Sequence, residues 1–376
     1  MSGSGGSGGS GGSSGSGGAQ GVPGPRHPSL HTGLCDLVGI DYPIVQTGMG
    51  FVAGPGLAAA TSAAGGLGIL AASTMTMDEL RSGIAEVKDR TDRPFGINLR
   101  ADQPDVVDRL DLLIREKVRV ASFAMAPRQD LVKKLRDAGI VVIPSIGARR
   151  HAEKVAAWGV DAVLVQGGEG GGHTGQVPTT LLLPQVIDAV DVPVIAAGGF
   201  FDGRGLVAAL AYGAVGIAMG TRFLLTSDSS VPRAVKDLYL ARSVTDTVVT
   251  RQVDGVPHRV LRTDFVEELE SAGRISSTWR AVANAVRFQR MSGEKWPSIV
   301  REGLAMKRSQ ELSWSQVIMA ANAPMLLKAA MVDGRPDLGV MASGQVVGLI
   351  DDLPTCAEVI DRVMAEAEKV LARLTG

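Results

Sequence analysis

One glycine-rich stretch carries the residue types best suited to acid–base chemistry. The segment VQGGEGGGHTG, residues 165–175, sets Glu169 and His173 among glycines directly after an apolar run. An imidazole with an unperturbed pKa near ~6.5 can accept or donate a proton at neutral pH, so His173 is the candidate catalytic residue. Glu169 is a candidate substrate contact. The alternative is that its carboxylate accepts hydrogen bonds from backbone amides and fixes the loop.

Two further glycine motifs have the features of an anion site. AAGGFFDGRG, residues 196–205, and MGTRF, residues 219–223, each follow an apolar run. Glycine often makes only a turn there, but two such motifs after consecutive runs favour a phosphate site. Arg204 and Arg222 are candidate phosphate or substrate partners. The backbone N–H groups expected to converge on the phosphate belong to Gly198, Gly199, Gly220 and Thr221.

The elements that must position these loops follow from the hydrophobic pattern. Stretches with helical spacing, such as residues 77–90 and 129–138, separate short β-branched runs at a mean repeat of about 25 residues. Eight strand and helix units predict a TIM (β/α)8 barrel, in which the loops above share the C-terminal end. The alternative, an open doubly wound sheet, lacks a G-x-G-x-x-G after its first strand. The predicted strands are residues 43–46, 67–71, 95–99, 118–125, 141–146, 162–165, 194–197 and 217–219.

The chain divides into three predicted regions. Residues 1–30 form a disordered Gly/Ser-rich tail, residues 34–245 and 340–376 form the barrel, and residues 246–339 form a helical lid or insertion. The segment ASGQVVGLI, residues 342–350, either returns a loop to the barrel mouth or merely connects helices. The helices of this added C-terminal layer are predicted at residues 282–290, 298–307, 315–322 and 357–374.

Composition excludes several classes of function. Lysine plus arginine number 38 against 39 aspartates plus glutamates, so no global charge draws the protein to nucleic acid or to a membrane surface. No apolar stretch predicts a signal peptide or a membrane span. Cys35 and Cys356 lack the spacing of a metal site or a disulfide framework, which favours the cytoplasm. A homo-oligomer is compatible with this composition.

Taken in order, six motifs resemble the nitronate monooxygenase flavoproteins, which have FMN-dependent enoyl reductase relatives. The motifs PIVQTGMG, FGINL, EGGGHTG, AAGGFFDG, MGTRF and ASGQVVG extend the resemblance over residues 34–374. It implies that FMN is bound, with its phosphate on the two glycine motifs described above, and that His173 acts at the flavin. The residues that the resemblance places around the remainder of FMN are Gly48, Met49, Asn98, Gln166, Gly170 and Gly171.

A longer set of motifs resembles one branch of that family, the flavin-dependent dehydrogenases of actinobacterial steroid catabolism. The set adds IPSIG, VDGVPHRVLRT and LSWSQVIMAAN, whereas Gly170 replaces an alanine that is usual in the wider family. This implies oxidation of the ring hydroxyl of a bicyclic hydroxyacyl-CoA, with His173 as general base and hydride transfer to the flavin. The alternatives are nitronate monooxygenation with oxygen and a non-catalytic flavin-binding protein.

An acyl-CoA substrate needs cations for its phosphates and an acceptor for its electrons. Residues 280–308 hold seven lysines and arginines against two glutamates, which makes Arg287 and Arg290 candidate substrate contacts. A solvated helical face is the alternative explanation. NAD or another acceptor would reoxidise the flavin.

Overall fold

Eight parallel strands close into a barrel around a packed interior. The structure, a computed structural model, describes residues 27–124, 126–271 and 314–376, with side chains in the last range from residue 323. The barrel strands are β1 (Ile44–Gln46), β2 (Leu67–Ala71), β3 (Phe95–Leu99), β4 (Val120–Ala124), β5 (Val141–Ile146), β6 (Val163–Gln166), β8 (Val194–Ala197) and β9 (Gly216–Met219). Each pairs with the next, and β9 pairs with β1 in the register Gln46 to Met219. The predicted TIM barrel is therefore confirmed.

Helices cover the outside of the barrel between successive strands. In α3, Thr76 and Glu79 form a capping box, and Leu80, Ile84 and Val87 give the helix one buried face. This amphipathic pattern lets α3 pack on the sheet while its charged face meets water. The first eight helices are α1 (Gly33–Val38), α2 (Pro55–Ala63), α3 (Met77–Arg90), α4 (Val106–Arg115), α5 (Gln129–Asp137), α6 (Arg149–Ala157), α7 (Thr179–Ile187) and α8 (Gly203–Ala211).

Helix α1 closes the N-terminal end of the barrel. Leu34, Cys35 and Val38 are buried in one cluster with inward-facing strand residues such as Leu67 and Ile195. The Thr32 hydroxyl also donates to the carbonyl oxygen of residue 215, just before β9 begins. Since this end is plugged, a ligand can reach the barrel only at the opposite end, where the strands finish.

A small antiparallel sheet lies beside the barrel and corrects part of the predicted helical lid. Its strands, in spatial order, are β10 (Thr247–Thr250), β11 (His258–Leu261) and the short β7 (Gly172–His173). Residues 247–261 are therefore a hairpin, because both four-residue segments gain backbone hydrogen bonds and β11 also pairs with the glycine-rich loop. The predicted helices at residues 282–290 and 298–307 lie outside the described residues.

The remaining helices form a layer on the barrel, as predicted. They are α9 (Thr221–Leu224), α10 (Arg233–Leu240), α11 (Asp264–Ser271), α12 (Trp314–Met331) and α13 (Cys356–Thr375). The last of them packs on α8 and α2. Among the described helices, none combines the length and the apolar character needed to cross a membrane.

The ordered chain begins earlier than the predicted tail boundary at residue 30. Residues Pro28–Leu30 form a 3-10 helix, and Leu30 is fully buried. Burial of this leucine gives the segment the apolar contact that the Gly/Ser repeats lack. Residues 1–26 lie outside the described part of the chain. Cys35 and Cys356 are both buried and free.

Candidate functional site

The loops that follow β8 and β9 hold the glycines that are predicted to bind a phosphate. Gly198 and Gly199 have φ angles of +89° and +88°, the left-handed region that glycine adopts without strain. A Cβ built on Gly199 would find its nearest neighbour 3.9 Å away, at Glu169 Cβ, so space is open beside this backbone. Consecutive residues of this kind can turn N–H groups toward an anion.

Gly220 and Thr221 lie at the start of α9, directly after β9. The Thr221 hydroxyl accepts a hydrogen bond from the Gly344 N–H at 2.9 Å. A Cβ on Gly220 would lie 3.2 Å from Thr47 Oγ1 and 3.4 Å from Met49 Sδ. The loop after β1 therefore contacts the loop after β9 at the mouth of the barrel.

Gly48 permits a close approach between the loop after β1 and the end of β3. A Cβ on Gly48 would lie 2.3 Å from the Asn98 Cβ, which no side chain could tolerate without a shift. Asn98 is buried, and its amide donates to Ser122 Oγ at 3.3 Å. Both residues thus stand at the barrel mouth with Met49, where the resemblance predicts them.

Side-chain hydrogen bonds shape the glycine-rich loop after β6. The Gln166 amide donates to the carbonyl oxygens of Gly171, at 3.2 Å, and His173, at 2.9 Å. A Cβ on Gly170 would lie 2.5 Å from the same amide nitrogen. Gln166 therefore stabilises the loop, because its amide is hydrogen bonded to two backbone carbonyl oxygens of the loop.

Glu169 holds the glycine-rich loop against the start of α7, and its role as a substrate contact stays a prediction. Its carboxylate accepts from the Thr179 N–H at 2.9 Å and from the Thr179 hydroxyl at 2.7 Å. An acidic group at the start of α7 is also favoured by the helix dipole. The carboxylate is thus used as a structural anchor, the alternative considered for it.

Arg204 and Arg222 are likewise held by other protein groups. The Arg222 guanidinium is buried, donates to Asp352 Oδ1 at 2.9 Å and also donates to the Leu225 carbonyl oxygen. Arg204 is paired with Asp202 and lies 3.5 Å from a Glu366 carboxylate oxygen on α13. Both arginines therefore have carboxylate partners, and their roles as phosphate or substrate partners stay predictions. Arg287 and Arg290 lie outside the described residues.

The segment 342–350 does return to the barrel mouth. The Gln345 N–H donates to the Glu169 carbonyl oxygen at 3.0 Å, next to the bond between Gly344 and Thr221. A Cβ on Gly171 would lie 2.6 Å from the Gly344 nitrogen. Close backbone packing of these two loops therefore requires glycine at residue 171.

The hairpin brings to His173 two residues that the sequence reasoning did not single out. His173 Nε2 lies 2.5 Å from Asp254 Oδ2, and the His173 and His258 rings lie 4.7 Å apart between centroids. His173 is half-exposed, whereas His258 is buried and neither of its ring nitrogens has a hydrogen-bond partner. The only sequence signal was the motif VDGVPHRVLRT, which contains both new residues.

Burial and hydrogen bonding set the charges in this cluster. Burial by itself would raise the pKa of Asp254, but the hydrogen bond with His173, the neighbouring His258 ring and the Val256 N–H outweigh burial and hold that pKa well below its usual range. Burial lowers the pKa of His258, although Asp254 opposes this shift. The carboxylate is therefore ionised and His258 is neutral near pH 7.

Donor atoms of His173, Asp254 and His258 all lie within 4.8 Å of one another, a set of ligand types that divalent cations accept. Metal–nitrogen and metal–oxygen bonds of about 2.0–2.2 Å would hold two such ligand atoms roughly 3 Å or more apart. The 2.5 Å contact between His173 and Asp254 is shorter than this. We therefore describe the pair as hydrogen bonded.

Arg259 ties the hairpin to the glycine-rich loop. Its guanidinium donates to the Gly168 carbonyl oxygen at 3.1 and 2.9 Å and to Thr247 Oγ1 at 2.9 Å. We expect Arg259→Leu to lower the free energy of unfolding by about 1–3 kcal/mol, because a part-buried carbonyl loses charged donors. Thermal unfolding of the purified protein measures this change.

The control is Arg335→Leu, which removes an exposed guanidinium that bonds to Asp337 two residues away. A change within about 0.5 kcal/mol is expected there. Equal melting temperatures for the two variants would contradict the role given to Arg259.

Comparison with known proteins identifies the family. The nitronate monooxygenase family model matches residues 31–111 and 105–366. This chain belongs to the nitronate monooxygenase family. The family is one of flavin-dependent oxidoreductases, so the chain is an enzyme and the predicted resemblance is confirmed. The non-catalytic alternative is set aside.

Two relatives share one named activity. The "(3aS,4S,5R,7aS)-5-hydroxy-7a-methyl-1-oxo-octahydro-1H-indene-4-carboxyl-CoA dehydrogenase" of Rhodococcus jostii is 63% identical over 341 residues, covering 91% of this chain and 97% of its own. The enzyme of the same name from Mycobacterium tuberculosis is also 63% identical, with 90% and 96% covered. The solved structure of FabK from Thermotoga maritima has a TM-score of 0.75 at 34% identity, covering 91% of this chain and 98% of that one.

Proposed function

We propose that the protein is an FMN-dependent dehydrogenase that oxidises the ring hydroxyl of a bicyclic hydroxyacyl-CoA formed in steroid ring degradation. The observation that supports this proposal is the similarity to two dehydrogenases named for that activity. Each is 63% identical to this chain, over about nine-tenths of its length. Membership of the nitronate monooxygenase family alone would allow several reactions. The 63% identity to the dehydrogenase branch favours the substrate of that branch.

The backbone at the barrel mouth fits FMN. In this proposal the phosphate binds the N–H groups of Gly198 and Gly199, where both φ angles are left-handed and the space beside Gly199 is open. Gly220 and Thr221 complete this part of the site from the next strand. Gly48 and Asn98 lie at the strand ends where the ring system would be accommodated. When bound, FMN supplies the two-electron acceptor for the hydride that the substrate carbon loses.

His173 supplies the acid–base chemistry. Its Nε2 is engaged by Asp254, and Nδ1 has no hydrogen-bond partner within the described residues. A neutral imidazole that donates from Nε2 carries its lone pair on Nδ1. We assign Nδ1 as the base that takes the hydroxyl proton as the alcohol carbon becomes a ketone.

Anaerobic mixing of the flavin-loaded protein with substrate tests this function. The hydroxyacyl-CoA is expected to bleach the absorbance of the oxidised flavin within the mixing experiment. With 2-nitropropane or its nitronate, this absorbance should decrease slowly or stay constant. Adding NAD to the reduced protein then measures whether this acceptor restores the yellow colour. No bleaching by the hydroxyacyl-CoA would overturn the proposal.

Nitronate monooxygenation is the second candidate, and the family assignment favours it. In that reaction His173 would take the α-proton of a nitroalkane, and oxygen would be consumed. The same mixing experiment separates the two candidates, because rapid bleaching by the nitroalkane alone would indicate this activity.

We expect FMN, and not FAD, as the cofactor released from the purified protein. The glycine loops provide one phosphate concavity, and the described residues include no second nucleotide fingerprint after a barrel strand. Mass spectrometry of the supernatant after acid precipitation identifies the released flavin. FAD added to a parallel sample shows whether extraction hydrolyses it, and recovery of FAD as the main native species would contradict the prediction.

A further inference from the structure

We infer that Asp254 is a positioning residue for His173: its carboxylate fixes the imidazole tautomer with a free Nδ1 and stabilises the imidazolium formed when that nitrogen takes a proton. This inference rests on the proposed role of His173 as the base. It concerns a residue of the hairpin turn whose side chain contacts His173 and the Val256 N–H.

The contacts of Asp254 divide between two tasks. Oδ2 faces His173 Nε2 at 2.5 Å, while Oδ1 accepts the Val256 N–H at 3.0 Å and holds the turn of the hairpin. Asp254 is mostly buried, since its side chain is 11% exposed. A carboxylate fixed by its own turn and shielded from water orients an imidazole more firmly than a mobile surface residue would.

His258 packs against His173 but lies too far from Asp254 for a hydrogen bond. Its ring packs on His173, with 4.7 Å between centroids, and its Nδ1 lies 3.9 Å from the same Asp254 oxygen. Since 3.9 Å exceeds hydrogen-bond length, His173 is the imidazole of the two that is hydrogen bonded to the carboxylate. The buried neutral ring of His258 therefore packs against His173 and limits rotation of its imidazole.

A cation created on His173 needs a counter-charge at this place. The charged and titratable side chains around the imidazole belong to Asp254, His258 and Arg259 of the hairpin, Glu169 of the glycine-rich loop and Arg100, whose charge interacts with Asp254. Glu169 is already bonded to Thr179, and the two arginines would repel an imidazolium. Asp254 is the one carboxylate among them that contacts the ring.

The variant Asp254→Asn tests the inference, because asparagine keeps Oδ1 for the Val256 N–H but removes the negative charge. Anaerobic flavin reduction at saturating substrate is expected to slow by roughly 10–10³-fold, with FMN content unchanged. The rising limb of the pH profile should move to lower pH, because the imidazolium loses its counter-charge. Asp254→Glu, which retains the charge, should recover part of the rate. An unchanged pH profile would overturn the inference even if the rate fell.

A matched control is available at the opposite end of the barrel. His31 and Asp36 form another imidazole and carboxylate pair, at 2.9 Å, with His31 49% exposed against 51% for His173. Asp36→Asn should leave both the rate and the pH profile of flavin reduction unchanged. A similar loss in this variant would show that the effect of Asp254→Asn is not local.

Nitrogen-15 NMR of histidine-labelled, flavin-loaded protein gives a readout that needs no substrate. The His173 signals, assigned by their loss in His173→Ala, should show the tautomer protonated at Nε2 in the parent and a mixed or opposite tautomer in Asp254→Asn. Identical tautomers in both proteins would contradict the inference. Zinc that stays bound at one equivalent after dialysis against a chelator would also contradict it, because His173, Asp254 and His258 would then be metal ligands. Failure of the proposed function would appear differently, as a parent protein whose flavin the hydroxyacyl-CoA does not reduce.

Discussion

Replacing His173 by alanine is expected to slow anaerobic flavin reduction by hydroxyacyl-CoA by roughly 10²–10⁴-fold, the usual contribution of a positioned acid–base group. The flavin should stay bound, because the proposed phosphate contacts come from the loops after β8 and β9. Folding should also be preserved, since the side chain is half-exposed and packs against the small sheet and not in the barrel core. Stopped-flow absorbance at saturating substrate measures the change.

His31→Ala is the control for this substitution. It removes a histidine of similar exposure that also bonds to an aspartate, but at the plugged end of the barrel. Its flavin should be reduced at the parent rate. If His173→Ala were reduced as fast as the parent, the imidazole would not be the base, and another group would have to take the proton.

The barrel could be predicted from the sequence because each of its strands is a local signal. At β2, β3, β5 and β8 the predicted runs coincide with the observed strands, and elsewhere they differ by one or two residues. Buried parallel strands read as continuous apolar runs that need no knowledge of their partners. The order of the strands then follows from the regular strand and helix repeat.

The parts of the site that the prediction missed depend on distant partners. Asp254 meets His173 across 81 residues of sequence, and nothing in the local pattern around VDGVPHR reveals that contact. The same limit explains Arg222, whose place in MGTRF suggested a phosphate partner although its carboxylate, Asp352, lies 130 residues away. Glycine motifs, by contrast, were informative because backbone geometry after a strand is local.

The hairpin shows why short strands are not predicted from hydrophobic periodicity. Segments β10 and β11 contain four residues each, too few to show a convincing alternation. Their stability comes from pairing with each other and with the glycine-rich loop. A region that the sequence predicted to be a helical lid therefore supplies Asp254 and His258, which contact His173.

The substitution Gly199→Val is expected to abolish stoichiometric FMN binding. At φ +88° any Cβ strains the backbone, and here it would also project into the open space beside Gly199 that the proposed phosphate occupies. The strain alone costs about 1–2 kcal/mol, which a barrel of this size can tolerate without unfolding. The flavin to protein absorbance ratio after gel filtration measures retention. Gly220 is a less suitable position, because a Cβ there already crowds Thr47.

Gly139→Val separates backbone strain from loss of the phosphate site. Gly139 has a φ of +77° with nothing within 4 Å of a built Cβ, and it lies between α5 and β5 at the end of the barrel remote from the loops after β8 and β9. Both variants should melt somewhat below the parent, since both place a β-branched residue in a left-handed conformation. Only Gly199→Val should lose its flavin. A Gly199→Val protein that kept one equivalent of FMN would show that the glycine pair after β8 is a turn and that the phosphate binds elsewhere.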